Sequence, residues 1–209
     1  MATGLDTWDW GIQRPGGDNM WDSNLCSVLA ISEQEFQDLK KQEINRLQWD
    51  NYFMSVAEMV AQQSKCLSRK VGAVAVKDKV IICTGYNGPA RGIPHCWTRN
   101  EGNKMACPRK LLGYKSGEGL HLCLASHAEQ SLIAQAARLG ISLKDCSVFI
   151  FASIYPCTVC TGLMINTGIK DIIVPSYARP YDDMAKYQLE NTKQLRLREI
   201  SYKNRFDND

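Results

Sequence analysis

From residue 127 onward the chain switches repeatedly between helical and strand periodicity, and this alternation restricts the fold more than any other feature. "AEQSLIAQAARL" (128–139) repeats apolar residues at helical spacing and stops at Gly140. "CSVFIF" (146–151) is a β-branched and aromatic run of strand type. "CTVCTGLMINTG" opens a second helix after Pro156 and closes at Gly168. "KDIIV" is a strand, residues 182–190 form a helix, and "LRLREIS" is a last strand. Upstream, "WDNYFMSVAEMVAQQS" carries Trp49, Tyr52, Phe53, Val56, Ala57 and Val60 at helical spacing. Two runs, 71–76 and 80–84, flank a Lys-Asp-Lys turn and predict a hairpin. Helix, hairpin, then alternating helices and strands imply one mixed sheet covered by helices, α/β in class.

Residues 1–48 divide off as a Trp-rich arm (Trp8, Trp10, Trp21) and a short helix begun by the capping box "SEQE". Residues 49–209 form the main domain. Within it, residues 87–126 are rich in Gly, Pro, Lys, Arg and Cys, and a segment so long needs something to hold it. No run of about 18 apolar residues suggests a membrane helix, and the N-terminus does not read as a secretory signal. A cytoplasmic chain is expected, where clusters among its nine Cys are metal ligands or catalytic groups rather than disulfides. The net charge of +3 permits an anionic small molecule and does not argue for a nucleic-acid or membrane surface.

The chemistry concentrates at two helix starts. "HAE" places His127 and Glu129 at one, and "PCTVC" places Cys157 and Cys160 at the other. Helix N-termini favour thiolates through their unpaired N–H groups and dipole. Two sulfurs and one nitrogen suit tetrahedral zinc, and three protein ligands leave the fourth position to water, the arrangement of a catalytic metal. Such a metal lowers the pKa of its water to roughly 7. Glu129, close without being a ligand, is placed to move that proton. A lone Cys-x-x-Cys is also a redox pair or half a zinc ribbon, and a lone His-x-Glu is commonplace. Glu129 and Cys157 stand 28 positions apart with matching elements between them and Pro156 ahead, a combination that singles out the metal.

"SKCLSRKVGAV", "TGYNGPARGIPHC", "HAEQ", "YPCTVC" and "TGIKDIIV" together resemble the deoxycytidylate (dCMP) deaminases of phage and bacterial type, within the zinc-dependent cytidine deaminases; the likeness spans residues 49–178. It implies a three-layer α/β/α fold with a five-stranded mixed sheet, one catalytic Zn2+, and conversion of dCMP to dUMP and ammonia, a step feeding dTMP synthesis. It also implies attack at C4 of cytosine, with Glu129 protonating N3 and then the departing amine. The backbone at Ala128 and the peptide after Tyr155 would orient the base, Asn87 the deoxyribose, and Arg69 and Lys70 the phosphate. Family members form hexamers activated by dCTP and inhibited by dTTP, which makes Gly85, Tyr86 and Gly88 of "GYNG" and Arg138 regulatory candidates.

The resemblance further implies a second, structural zinc on the insert. Cys66 and Cys96 match ligand positions; Cys107 and Cys123 complete a four-thiolate set, with His121 an alternative to one of them. Cys26, Cys83 and Cys146 read as packing. The chain departs from the family pattern at Ser131, where Asn is usual, and at the base-stacking tyrosine, assigned to Tyr177 with Tyr181 as the other choice. A pocket reshaped there would admit dCTP or a 5-substituted dCMP. A reading of another class is a zinc-stabilised assembly protein without activity, which leaves Glu129 without a purpose.

Overall fold

The computed structural model describes residues 32–96, 107–115 and 117–203. The Trp-rich arm and Cys26 lie outside them. Two compact units meet between Leu47 and Gln48. Helix α1 (Glu33–Ala61) crosses that boundary as one element, where the sequence suggested a short helix followed by a second one. Nothing between residues 33 and 61 is Gly or Pro, so no residue breaks it. Its start is the expected capping box: the Ser32 N–H donates to Glu35 Oε2 (2.9 Å), and the Glu35 N–H donates to Ser32 Oγ (3.2 Å).

The second unit is a five-stranded sheet in the order β2-β1-β5-β6-β7. Strands β1 (Gly72–Lys77) and β2 (Val80–Tyr86) form the predicted hairpin. Its turn holds Asp78 and Lys79 at φ 50° and 63°, as a two-residue primed turn requires. β5 (Ser147–Phe151) runs antiparallel to β1, with Val74 opposite Phe149. β6 (Asp171–Pro175) and β7 (Arg196–Ile200) continue in parallel, with Val148 opposite Ile172 and Ile172 opposite Leu197.

The alternation of side chains across these strands divides the core into two layers. Ala73, Ala75, Val148, Ile150, Ile172 and Val174 face helices α3 (Ala128–Leu139) and α4 (Thr158–Asn166), which contribute Leu132, Ala136, Cys160 and Met164. Val74, Val76, Phe149, Phe151 and Ile173 face Phe53, Met54, Ala57 and Ala61 of α1. Each fully buried Leu or Met stabilises the fold by about 1.5–3 kcal/mol. Helix α5 (Asp183–Asn191) packs beside α4. The three layers are those expected. Cys83 and Cys146 are buried in the core.

The 87–126 segment is closed at its base. β3 (Gly88–Pro89) pairs with β4 (Ala125–Ser126), so the two ends of the insert meet immediately before α3. Between them lie a single-turn helix α2 (Pro108–Leu111) and a 3-10 turn (Leu120–Leu122). The Arg109 guanidinium of α2 donates to the carbonyls of Lys115 and Glu118, in the stretch that leads to the 3-10 turn.

Candidate active site

Both motifs sit where helices begin. His127 is the N-cap of α3 and Cys157 the N-cap of α4, each with extended backbone (φ −70°, ψ 161° and φ −72°, ψ 168°). Gln130 fixes the first of these, since its Oε1 accepts from the His127 N–H (2.9 Å). Asp182 fixes the second. Its carboxylate accepts from the Thr158 hydroxyl (2.6 Å) and from the Ala185 N–H (2.6 Å), joining the first turns of α4 and α5. Burial draws the Asp182 carboxyl upward, but the hydrogen bonds from Thr158 and Ala185 outweigh it and leave its pKa lowered.

Gly85 lets α3 seat directly on β2. A Cβ there would lie 2.4 Å from the Ala128 carbonyl oxygen and 2.4 Å from the Leu132 nitrogen.

The two helix starts converge. His127 Nδ1 stands 3.5 Å from Cys157 Sγ and 3.5 Å from Cys160 Sγ, and the three donor atoms all lie within 4.8 Å of one another. Zinc bonds of about 2.3 Å to sulfur and about 2.0–2.1 Å to nitrogen, at tetrahedral angles, give S···N separations of about 3.5 Å. The donor set therefore fits zinc without rearrangement. The Cys157 thiol is drawn down to about 4, first by the Cys160 side chain and also by His127. The Cys160 thiol is pushed up by Cys157 and by burial. The hydrogen bond with Cys157 raises His127. Glu129 is 5% exposed, and burial raises its carboxyl above the usual range.

His127, Glu129 and Cys157 line a cleft of about 120 Å³ that opens to solvent. Ala128, Tyr155, Asn87 and Arg69 line it. The Tyr155 hydroxyl donates to Glu199 on β7, and burial together with that carboxylate pushes its pKa up to about 12. The side chain of Asn87 is engaged by backbone: Oδ1 accepts from the Val71 N–H (2.9 Å) and Nδ2 donates to the Arg69 carbonyl (2.9 Å). It therefore shapes the segment that carries Arg69.

Two of the candidates lie off the cleft. Tyr177 is 42% exposed and is not on the cleft wall; Tyr181 is. The turn after β6 buries Ala178 and leaves Tyr177 on the outside. Lys70 also points away, its Nζ donating to Gln62 Oε1 (3.1 Å).

Of the regulatory candidates, Gly85 is occupied in packing α3, Tyr86 is exposed, Gly88 lies in the β3–β4 ladder, and Arg138 donates to Gln135 one turn back. Ser131 lies on α3, and its N–H donates to the His127 carbonyl (2.9 Å).

Among the described residues, no other three His, Cys, Asp or Glu donors meet closely enough to hold a metal. Cys66 and Cys123 both line the cleft, while Cys107 caps α2; these, with Cys96 and His121, do not form such a group.

Three site residues were missed. Gln130 was legible as the fourth member of a capping box, and Asp182 as the acidic residue before a helix. Arg109, buried and on the cleft wall, gave no signal.

Residues 47–176 match the family model described as "Cytidine and deoxycytidylate deaminase zinc-binding region". The chain belongs to the cytidine and deoxycytidylate deaminase family. It is similar to the deoxycytidylate deaminase of Schizosaccharomyces pombe, 35% identical over 152 residues, 73% of this chain and 44% of the relative. It is similar to that of Mycobacterium phage D29, 34% identical over 140 residues, 63% of this chain and 98% of the relative. The chain spans about half the length of the fungal relatives, 44% and 53% for the two matched. A solved dCMP deaminase from the cyanophage S-TIM5, in complex with dCMP and dUMP, shares the fold. Its TM-score is 0.53 at 22% identity, covering 71% of this chain and 94% of that one.

Proposed function

We propose that this protein hydrolyses dCMP to dUMP and ammonia. The observation that carries the reading is the juxtaposition of His127, Cys157 and Cys160, spaced for zinc, with a buried Glu129 beside one open cleft. The related phage and fungal proteins named deoxycytidylate deaminase support the choice of base and sugar.

Zinc held by these three side chains would supply the Lewis acidity that makes water a nucleophile near neutral pH. Glu129 does the proton work. Its raised carboxyl pKa suits a group that takes one proton from the water and delivers it to N3, then takes the second from the new C4 hydroxyl and passes it to the exocyclic amine as the C4–N4 bond breaks and the C4 carbonyl forms. The Ala128 backbone and the Tyr155 peptide orient the base, and Tyr181 takes the stacking place first assigned to Tyr177. Asn87 holds the Arg69 segment in position beside the sugar.

The finer parts of the proposal rest on the resemblance: a role feeding dTMP synthesis, activation by dCTP, inhibition by dTTP, a hexameric assembly, and a second zinc on the insert.

Ammonia release from a panel of dCMP, CMP, dCTP, 5-methyl-dCMP, deoxycytidine and dAMP tests the activity. Preference for dCMP is expected; turnover of none of them by zinc-loaded protein refutes it. Rates unaltered by dCTP and dTTP would remove the regulation, and one zinc per fully loaded chain would remove the second metal.

A further inference from the structure

Arg109 is 9% exposed, yet it lines the cleft that contains His127 and Glu129. Its Nε and Nη2 donate to main-chain carbonyls of Glu118 and Lys115, which are neutral acceptors. Its Nη1 group donates to none of the described residues, and no described carboxylate forms an ion pair with it. A buried cation without a counter-charge is costly unless an anion joins it. Arg69 and Tyr181 line the same cleft.

We propose that Arg109, presented by the insert, is a substrate-binding residue that grips the 5′-phosphate of the nucleotide together with Arg69. The proposal rests on the dCMP reading above. Guanidinium is suited to the role because it can hold its two carbonyl contacts and still offer a free edge to phosphate oxygens. The 87–126 insert then has a purpose in specificity. It brings a cation across the sequence to the chemistry, and the hydrogen bonds to Lys115 and Glu118 aim that cation. This assignment goes to a residue that no motif marked, and it replaces Lys70, which points away.

The test is steady-state kinetics on the zinc-loaded full chain, with inorganic phosphate as a competitor against dCMP. Arg109→Leu is expected to raise KM for dCMP about 10- to 100-fold, the effect of losing one charge-assisted hydrogen bond. The phosphate Ki should rise in parallel, with kcat held within about threefold, the pattern of lost uniform binding. Arg109→Lys, which keeps the charge but not the fork, should fall between. Zinc content and thermal melts accompany each variant. Unchanged KM and phosphate Ki in both variants overturn the inference, as does a fall in kcat with KM unmoved. Wild-type protein that turns over no dCMP removes the underlying reading instead, so the two failures are distinguishable.

Discussion

Placing a methyl group at Gly85 should damage the site from behind. The new Cβ would sit 2.4 Å from the Ala128 oxygen and the Leu132 nitrogen and 2.8 Å from the Leu132 Cα. Ordinary contact begins at 3.4 Å, so α3 must retreat from β2 by about 1 Å. All three atoms are backbone, and no side chain can rotate away. Overpacking of this kind costs about 1–3 kcal/mol, and a rigid helix backbone puts Gly85→Ala at the upper end. With a urea m-value of about 2 kcal/mol/M, the midpoint should fall by about 1–1.5 M. The retreat also moves His127 and Glu129, which head the displaced helix. A 1 Å misplacement of catalytic groups costs on the order of 10²-fold in rate. Gly162→Ala is the control. That helical glycine has only Gln188 Nε2 within reach, at 3.6 Å, so alanine should be neutral or stabilise by up to about 1 kcal/mol. The assays are urea unfolding, zinc affinity by chelator competition, and dCMP turnover. A Gly85→Ala protein with wild-type midpoint and rate would refute the close-approach reasoning.

Glu129→Gln should retain zinc and stability while losing about 10²–10⁴ in rate, measured by ammonia release beside metal analysis; turnover near wild type would remove the proton-transfer role. Asp182→Ala removes the α5 cap and the tie to Thr158, and should cost about 1–2 kcal/mol and weaken zinc binding through the Cys157 turn. Because Asp182 is lowered from 3.8, its stabilising effect is complete above that value and fades as pH falls through its folded pKa. Melting curves of wild type and Asp182→Ala should therefore converge in acid, and a gap that persists there would contradict the assignment. Arg198→Ala strips both guanidinium bonds (2.8 and 3.2 Å) from Asp50, which is 5% exposed. It should destabilise by about 3 kcal/mol by urea unfolding, and Asp50→Asn in the same background should recover part of that loss.

The order of elements in the main sheet and the helices packed on it was legible because each of them carries its own period over five residues or more. The hairpin turn, the stops at Gly140 and Gly168, and the two helix-start motifs are equally local, which is why the zinc triad could be assembled on paper. The continuity of α1 was harder to see. Its first half has a capping box but no consistent apolar stripe, and only the absence of a breaker between residues 33 and 61 joins it to the second half. Tyr177 and Tyr181 could not be separated by spacing either. Which one enters the cleft depends on Ala178 being drawn into the core, a fact of packing rather than of pattern.

The insert marks where local reading stops. Its ends meet through only two residue pairs, Gly88 with Ser126 and Pro89 with Ala125, too short to show a strand period. Arg109 sits on a helix of a single turn, and in sequence it is one basic residue beside Lys110. Lys110 reaches outward to the Leu67 carbonyl, while Arg109 turns in to the carbonyls of Lys115 and Glu118. The difference between a solvated lysine and a buried guanidinium at adjacent positions is set by the fold of the loop around them. A cysteine count draws attention to the sulfurs of this segment, but the group it delivers to the cleft wall, with no ion pair to any described carboxylate, is a guanidinium. Charge burial therefore makes Arg109 a stronger pointer to how the substrate's anionic end is held than the basic Arg69–Lys70 pair, of which only Arg69 faces the cavity.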